Sequence, residues 1–272
     1  MKLFLDNFFT ELWRGREPFG AVEQLTGEEF RNVKSRRTIR FVIDGRGFFL
    51  KFHRGVGWRE IFKNLLQGKR PVLGAGNEFA ALKCLKEWQI ETMTPCAFGE
   101  RGWNPARLES FLITAELTDC ISLEDFCRPW PQEPPPFALK KALIESLART
   151  SRTLHRNGLN HRDYYLCHYL LDRQASAAGR LRLYLIDLHR AQLRRKTPYR
   201  YVVKDVAGLW FSAMDIGLTR RDLLRFMRLY RNRPLRDILQ QDAGFWRTVD
   251  RTARKLYCKE FRRQPAVGAF DE

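Results

Sequence analysis

His161, Arg162 and Asp163, then His168, then Asp187 and His189 fall within one stretch, LNHRDYYLCHYLLDRQASAAGRLRLYLIDLHR, from Leu159 to Arg190. Carboxylates and imidazoles are the side chains that move protons or hold divalent cations near neutral pH. Between His168 and Asp187 lie two apolar runs, Tyr169 to Leu171 and Leu181 to Ile186, separated by small and polar residues with Gly179 as turn former. That pattern predicts a β-hairpin. A hairpin brings its open ends together, and here those ends carry His168 and Asp187, with Asp163 just upstream. Three polar groups spread along the chain are thus expected at one rim. The plainer alternative is a core hairpin flanked by salt-bridging aspartates.

A second residue calls for explanation. Thr38 to Ile43 and Phe48 to His53 are β-rich runs around the turn Asp44-Gly45-Arg46-Gly47, which predicts another hairpin. Lys51 sits in its second strand among apolar neighbours, where an unpaired ammonium is costly to bury. Either it turns to solvent on the far face or it has a partner. A helix is expected from Asn77 to about Trp88, with Glu78 in its first turn and Glu87 near its end. Glu78 is the candidate partner, Glu87 the weaker one; alone, Glu78 is also a favourable charge at a helix start.

These groups need a frame. Leu5, Phe8, Phe9 and Leu12 fit one face of a helix over 3–13, packed on the smaller half of the molecule rather than lying in a membrane interface. Residues 54–76 contain an amphipathic segment with Ile61, Phe62, Leu65 and Leu66, beside Lys63, Lys69 and Arg70. It reads equally as a solvated helix or as a basic aromatic surface facing membrane or substrate. ESFLITAEL, 109–117, reads as a buried strand; Ser122 opens a short helix; WPQEPPPF is a linker. A long amphipathic helix from Phe137 to about Asn157 carries Leu139, Leu143, Leu147 and Leu154 inward and ends at Gly158. It delivers the chain to His161. After Asp187 comes a basic run, Arg190, Arg194, Arg195, Lys196, Arg200 and Lys204, then a helix beginning at KDVAGLWFSA, and from Thr219 further Arg-rich helices.

Of 272 residues 44% are apolar, so the chain folds around a real core. No run has the length of a membrane-spanning helix, and MKLFLDNFFTELW lacks a leader's features, so a cytoplasmic protein is expected. The six cysteines show no zinc spacing and are expected to be reduced and mostly buried. The net charge of +18 favours an anionic partner: nucleic acid, an anionic membrane face, an acidic protein or a phosphorylated glycan.

His-Arg-Asp, a ligand-capable residue five places after the Asp, and a hairpin ending in Ile-Asp together resemble the catalytic segment of protein kinases. The resemblance implies an α+β, bilobal protein-kinase-like fold: a β-rich N-lobe over 1–115 and a mainly helical C-lobe over 116–272. It makes Asp163 the catalytic base, Asp187 a metal ligand, and His168 a second ligand where most kinases have Asn. Lys51 then holds the nucleotide phosphates, positioned by Glu78. Ala115 to Thr118 becomes the hinge that bonds adenine, and Asp205 braces the catalytic loop, unless it is merely a charge at a helix start. The basic run after Asp187 becomes a dock for acceptor carboxylates and phosphates. Three departures stand out. No G-x-G-x-x-G loop precedes Thr38, so Lys34, Ser35 and Arg36 are left to cover the phosphates. Phe49 stands where kinases have a small residue above adenine. An imidazole ligand also suits Mg²⁺ less well than oxygen, and one ion rather than two is an option.

A narrower resemblance is carried by GWREIFKNLLQGKRPVLGAGNE, HRDYYLCHYLL, LYLIDLHRA and KDVAGLWFSAMDIGLTRRDLLRFMRLY, spread over most of the chain. These are similar to the lipopolysaccharide core heptose kinase (WaaP) family. That implies ATP as donor, Mg²⁺ or another divalent metal as cofactor, and a heptose of the lipopolysaccharide inner core as acceptor. It also implies a Gram-negative source and peripheral placement at the inner face of the inner membrane. The expected partners are the inner-core glycolipid, an anionic membrane surface and an acidic protein. Nucleic acid is not expected, since no recognition module accompanies the charge. The alternatives are a protein kinase, a small-molecule kinase of the aminoglycoside-phosphotransferase type, or an inactive kinase-fold scaffold.

Overall fold

A computed structural model describes residues 1–33, 35–66 and 71–266. Lys34, Lys69 and Arg70, singled out above, lie outside them. The chain divides into two compact units: 1–87 with 92–118 and 188–190, and 88–91 with 119–187 and 191–272.

The first unit is built on a six-stranded antiparallel sheet. In chain order its elements are β1 (Lys2–Leu5), α1 (Asn7–Leu12), α2 (Pro18–Gln24), β2 (Glu28–Val33), β3 (Arg36–Ile43), β4 (Arg46–Arg54), α3 (Gly57–Leu66), α4 (Gly76–Glu87), β5 (Pro95–Arg101) and β6 (Glu109–Ala115). The strand order is β1-β5-β6-β4-β3-β2. Asp44 and Gly45, both at positive φ, turn β3 into β4. On β4, Phe48, Leu50 and Phe52 are buried on one face, in a cluster with Phe9, Phe19, Ile39, Phe111 and Ile113. The period of two puts Phe49 and Lys51 on the other face.

Residues 3–13 do not form the single helix expected from their pattern. Lys2 to Leu5 form a strand in register with Glu100 to Ala97, and the helix starts at Asn7, capped by Asp6, whose carboxylate accepts from Phe9 N at 2.9 Å. A strand is favoured because β5 would otherwise leave its outer backbone groups unpaired. Phe8, Phe9 and Leu12 do pack on the core of this unit. In α3 only Ile61 is buried, while Trp58, Phe62, Leu65 and Leu66 are exposed.

The second unit is mainly helical. It contains β7 (Cys120–Ser122), α5 (Leu123–Cys127), α6 (Phe137–Arg156), β8 (Leu159–Asn160), β9 (Tyr169–Asp172), α7 (Arg173–Ala177), β10 (Leu183–Leu185), β11 (Gln192–Leu193), α8 (Tyr199–Ser212), α9 (Arg220–Arg231), α10 (Leu235–Gln241) and α11 (Ala243–Phe261). β10, β9 and β7 form a small sheet, and β11 pairs with β8. The hairpin between His168 and Asp187 is present, but its connection contains α7. Asp172 caps that helix by accepting from Ala175 N at 2.8 Å, a signal that a turn reading overlooks. α8 begins at Tyr199, after Pro198, several residues before Lys204. Trp210 on α8 donates to Asp250 of α11 at 2.9 Å. All six cysteines are free thiols, with Cys96 and Cys127 buried.

Candidate active site

Lys51 and Glu78 meet in the first unit. α4 is held on the sheet by Phe79, whose ring stacks on Phe98 at 4.2 Å, and by fully buried Leu82 and Leu85. Burying such side chains contributes roughly 1.5–3 kcal/mol each, which fixes the helix face that carries Glu78. Lys51 Nζ lies 2.6 Å from Glu78 Oε1, and Glu78 is 1% exposed. Its second oxygen, Oε2, is buried without a hydrogen-bond partner among the described residues. Lys51 therefore does not simply face solvent: a buried carboxylate orients it.

The segment proposed as a hinge is partly committed. Ala115 N donates to Thr94 O at 2.9 Å and Glu116 N to Gly47 O at 2.9 Å. Two of its N–H groups are thus taken by the chain itself. Ser35 O accepts from Arg54 N at 3.1 Å, and Arg36 opens β3 opposite His53. Phe49 meets Phe30 edge-on at 5.5 Å.

Asp163, His168 and Asp187 lie in the second unit. α6 stops because Gly158 takes φ +83°, and a Cβ there would stand 1.7 Å from Arg194 O. Only glycine allows that approach, which also lets Arg194 N donate to Gly158 O at 3.0 Å. The chain then enters the loop that follows β8. Asp205, 1% exposed and inside α8, accepts from His161 N at 2.7 Å and Arg162 N at 2.9 Å. His155 Nε2 also lies 3.4 Å from it. Asp205 is therefore a brace and not a charge at a helix start. Arg162 at φ +78° and Asp187 at φ +60° hold left-handed backbone that non-glycine residues seldom adopt. Such conformations persist only where surrounding bonds over-determine them, and the two Asp205 bonds do that at Arg162.

The imidazoles have defined tautomers. His161 Nε2 lies 2.9 Å from Ile186 O, which can only accept, so Nε2 carries the proton. Burial pushes His161 below the ordinary histidine range, against the Asp205 charge, so it is neutral. By the same logic His168 donates from Nδ1 to Asp163 O at 2.6 Å. Its Nε2 faces Asp187 Oδ2, 3.6 Å away.

An imidazole lone pair and a carboxylate oxygen at that separation repel unless a proton or cation lies between them. His168 Nε2 and Asp187 Oδ2 would together suit one divalent ion. Among the described residues no group of three or more His, Cys, Asp or Glu is placed to hold a metal.

One network had no sequence signal. Tyr164 OH bonds Ser151 Oγ at 2.8 Å and also Tyr169 OH, locking the loop after Asp163 to α6 and β9. Arg194, expected to be an acceptor contact, donates to Asn160 Oδ1 and Gln192 Oε1 and covers the Tyr201 ring.

Residues 20–230 match the model of the lipopolysaccharide kinase (Kdo/WaaP) family. The chain belongs to that family. It is accordingly a kinase, a phosphotransferase acting on an alcohol group. A family relative named lipopolysaccharide core heptose(I) kinase WaaP, from Pseudomonas aeruginosa, is 53% identical over 96% of this chain and 98% of its own length. One of the same name from Escherichia coli is 46% identical over 94% and 97%. A solved structure of WaaP in complex with acyl carrier protein superposes with a TM-score of 0.83 at 48% identity, covering 94% of this chain and all of that one. The expected kinase-like α+β fold is thereby borne out.

Proposed function

We propose that this protein transfers the γ-phosphoryl group of ATP to a heptose hydroxyl of the lipopolysaccharide inner core. The observation that carries this reading is the 53% identity, over nearly the whole of both chains, to a relative named as a core heptose(I) kinase. The described residues supply the chemistry. Asp163 orients the acceptor hydroxyl and takes its proton. Lys51, held by Glu78, binds and orients the nucleotide phosphates. Asp187 and His168 would hold one divalent ion, which would supply positive charge at the transferring phosphoryl group. Asp205 keeps the loop bearing Asp163 in place.

Purified protein with ATP and divalent metal should phosphorylate dephosphorylated core glycan, read by product mass spectrometry, and leave generic peptides untouched. Equal phosphorylation of a core lacking heptose would overturn the acceptor assignment.

Mg²⁺ is the ion we propose. Partners follow from the charge of +18. The solved neighbour's complex with acyl carrier protein supports a protein partner of that kind here. No helix among the described residues is long and apolar enough to cross a membrane. We place the protein peripherally on the inner face of the inner membrane, held by basic residues. Its binding to anionic vesicles should therefore fall steeply with salt, since screening shortens to about 8 Å at physiological ionic strength.

A further inference from the structure

We propose that the helical unit carries a second anion site, a basin that binds a ligand bearing clustered phosphate or carboxylate groups. Three stretches of chain build it: Arg152 and Arg156 on the last turns of α6, Arg195 and Lys196 after β11, and Arg231 and Arg233 at the end of α9. It is an open basin of about 890 Å³, and no acidic residue lines it. That is far larger than a single ion needs and falls in the range of small-molecule sites, about 300–1,000 Å³.

The charges divide into two kinds. Arg231 and Arg233 are tied to Asp242. Arg152, Arg156, Arg195 and Lys196 have no acidic partner among the described residues. The contrast lies on one helix: Arg149, outside the basin, pairs with Glu145 at 3.9 Å. Arg152 and Arg156 are one turn apart, where like charges repel. Burial and the Arg156 charge together lower the pKa of Arg152. An anionic ligand bridging them would relieve that repulsion. Planar guanidinium forks suit phosphate and carboxylate oxygens.

The basin is also wired to the catalytic loop. His155 and Tyr230 contribute to its lining. Tyr230 OH bonds His155 Nδ1 at 2.9 Å, His155 Nε2 lies 3.4 Å from Asp205 Oδ2, and Asp205 holds the backbone of His161 and Arg162. Occupancy is thus one hydrogen-bonded chain away from the loop that carries Asp163. The site itself rests on geometry. Naming the acceptor's own acidic groups as the source rests on the function proposed above, the other source being a free phosphorylated molecule.

The test is calorimetric titration of the full chain with inorganic tripolyphosphate in saturating ADP, so that the nucleotide site is filled. Saturable binding is expected, weakened about tenfold or more in R152Q/R156Q and in R195Q, which lies on a different segment. R149Q removes the same charge from the same helix outside the basin and should bind as the parent does. Each variant's melting curve checks that it is folded. Absence of saturable binding overturns the site. So does R149Q weakening as much as R152Q/R156Q, or folded R152Q/R156Q and R195Q both binding as the parent does. In turnover assays, tripolyphosphate competing with the glycan identifies the acceptor as the source. A change in kcat without competition identifies a free ligand. Because binding is read without phosphoryl transfer, the basin is tested even if the acceptor assignment fails.

Discussion

His168 Nε2 faces Asp187 Oδ2 at 3.6 Å, while its Nδ1 is spent on the Asp163 carbonyl. The same imidazole therefore ties the loop backbone at Asp163 to the carboxylate at the end of the hairpin. With Nδ1 committed to the Asp163 carbonyl, Nε2 is the ring nitrogen left for the proposed metal. Replacing it by an oxygen donor, His168→Asn, should keep activity with Mg²⁺ and weaken the response to Mn²⁺ or Co²⁺. His168→Ala should require more metal for half-maximal rate. Metal titrations of turnover read both, and an unchanged metal dependence in His168→Ala would remove the residue from the metal site.

Lys51 and Asp187 should fail in different ways. Asp187→Asn retains one oxygen donor, so raised metal should partly restore its rate. Lys51→Ala would remove the proposed phosphate contact and should gain nothing from metal. It also leaves Glu78, 1% exposed, without its cation, so a melting temperature below the parent's is expected. Equal rescue of both variants would argue against separate roles.

Asp163→Ala should lower kcat about a hundredfold or more, the usual scale for loss of a general base. The fold should survive, because the loop backbone is held from Asp205 and Tyr164. Near-normal turnover by the folded variant would exclude the role.

Asp205→Asn tests the brace. An amide in place of the carboxylate keeps one acceptor oxygen and turns an NH₂ toward a backbone N–H. Loss of a charged acceptor at a buried site costs about 2–3 kcal/mol. Both kcat and the melting temperature should fall, with the KM for ATP changing less than kcat.

Titration of buried groups gives a further check. Burial pushes the Cys127 thiol up to about 12, and burial first and the Asp6 charge second do the same for Cys96. In the unfolded chain both ionise near 9. A raised folded pKa means stability that is whole below pH 9 and is lost as pH rises toward 12. Both thiols should resist alkylation at pH 8 in the native protein and react on unfolding. Labelling of Cys127 at the rate of an exposed thiol would contradict its burial.

The sequence by itself determined what depends on neighbours along the chain. The β3–β4 hairpin shows in its alternation and Asp44-Gly45 turn. The span of α6 shows in its leucine spacing and Gly158, and the site candidates show in the His-Arg-Asp spacing. Glu78 was legible as a partner for Lys51 only through the kinase resemblance, since a lone strand lysine reads equally well as solvent-facing. Tertiary structure alone decided what depends on distant chain. Lys2 to Leu5 are a strand only because β5 offers unpaired backbone groups; their local pattern suits a helix equally well. The proton of His168 sits on Nδ1 because the fold puts the Asp163 carbonyl 2.6 Å away. Asp205 braces the loop because α8 starts at Tyr199 and carries that carboxylate into the interior. The basic basin exists because the ends of α6 and α9 and the segment after β11 meet in space. In the sequence their cations were scattered among forty-nine lysines and arginines, nothing marking which would face one another.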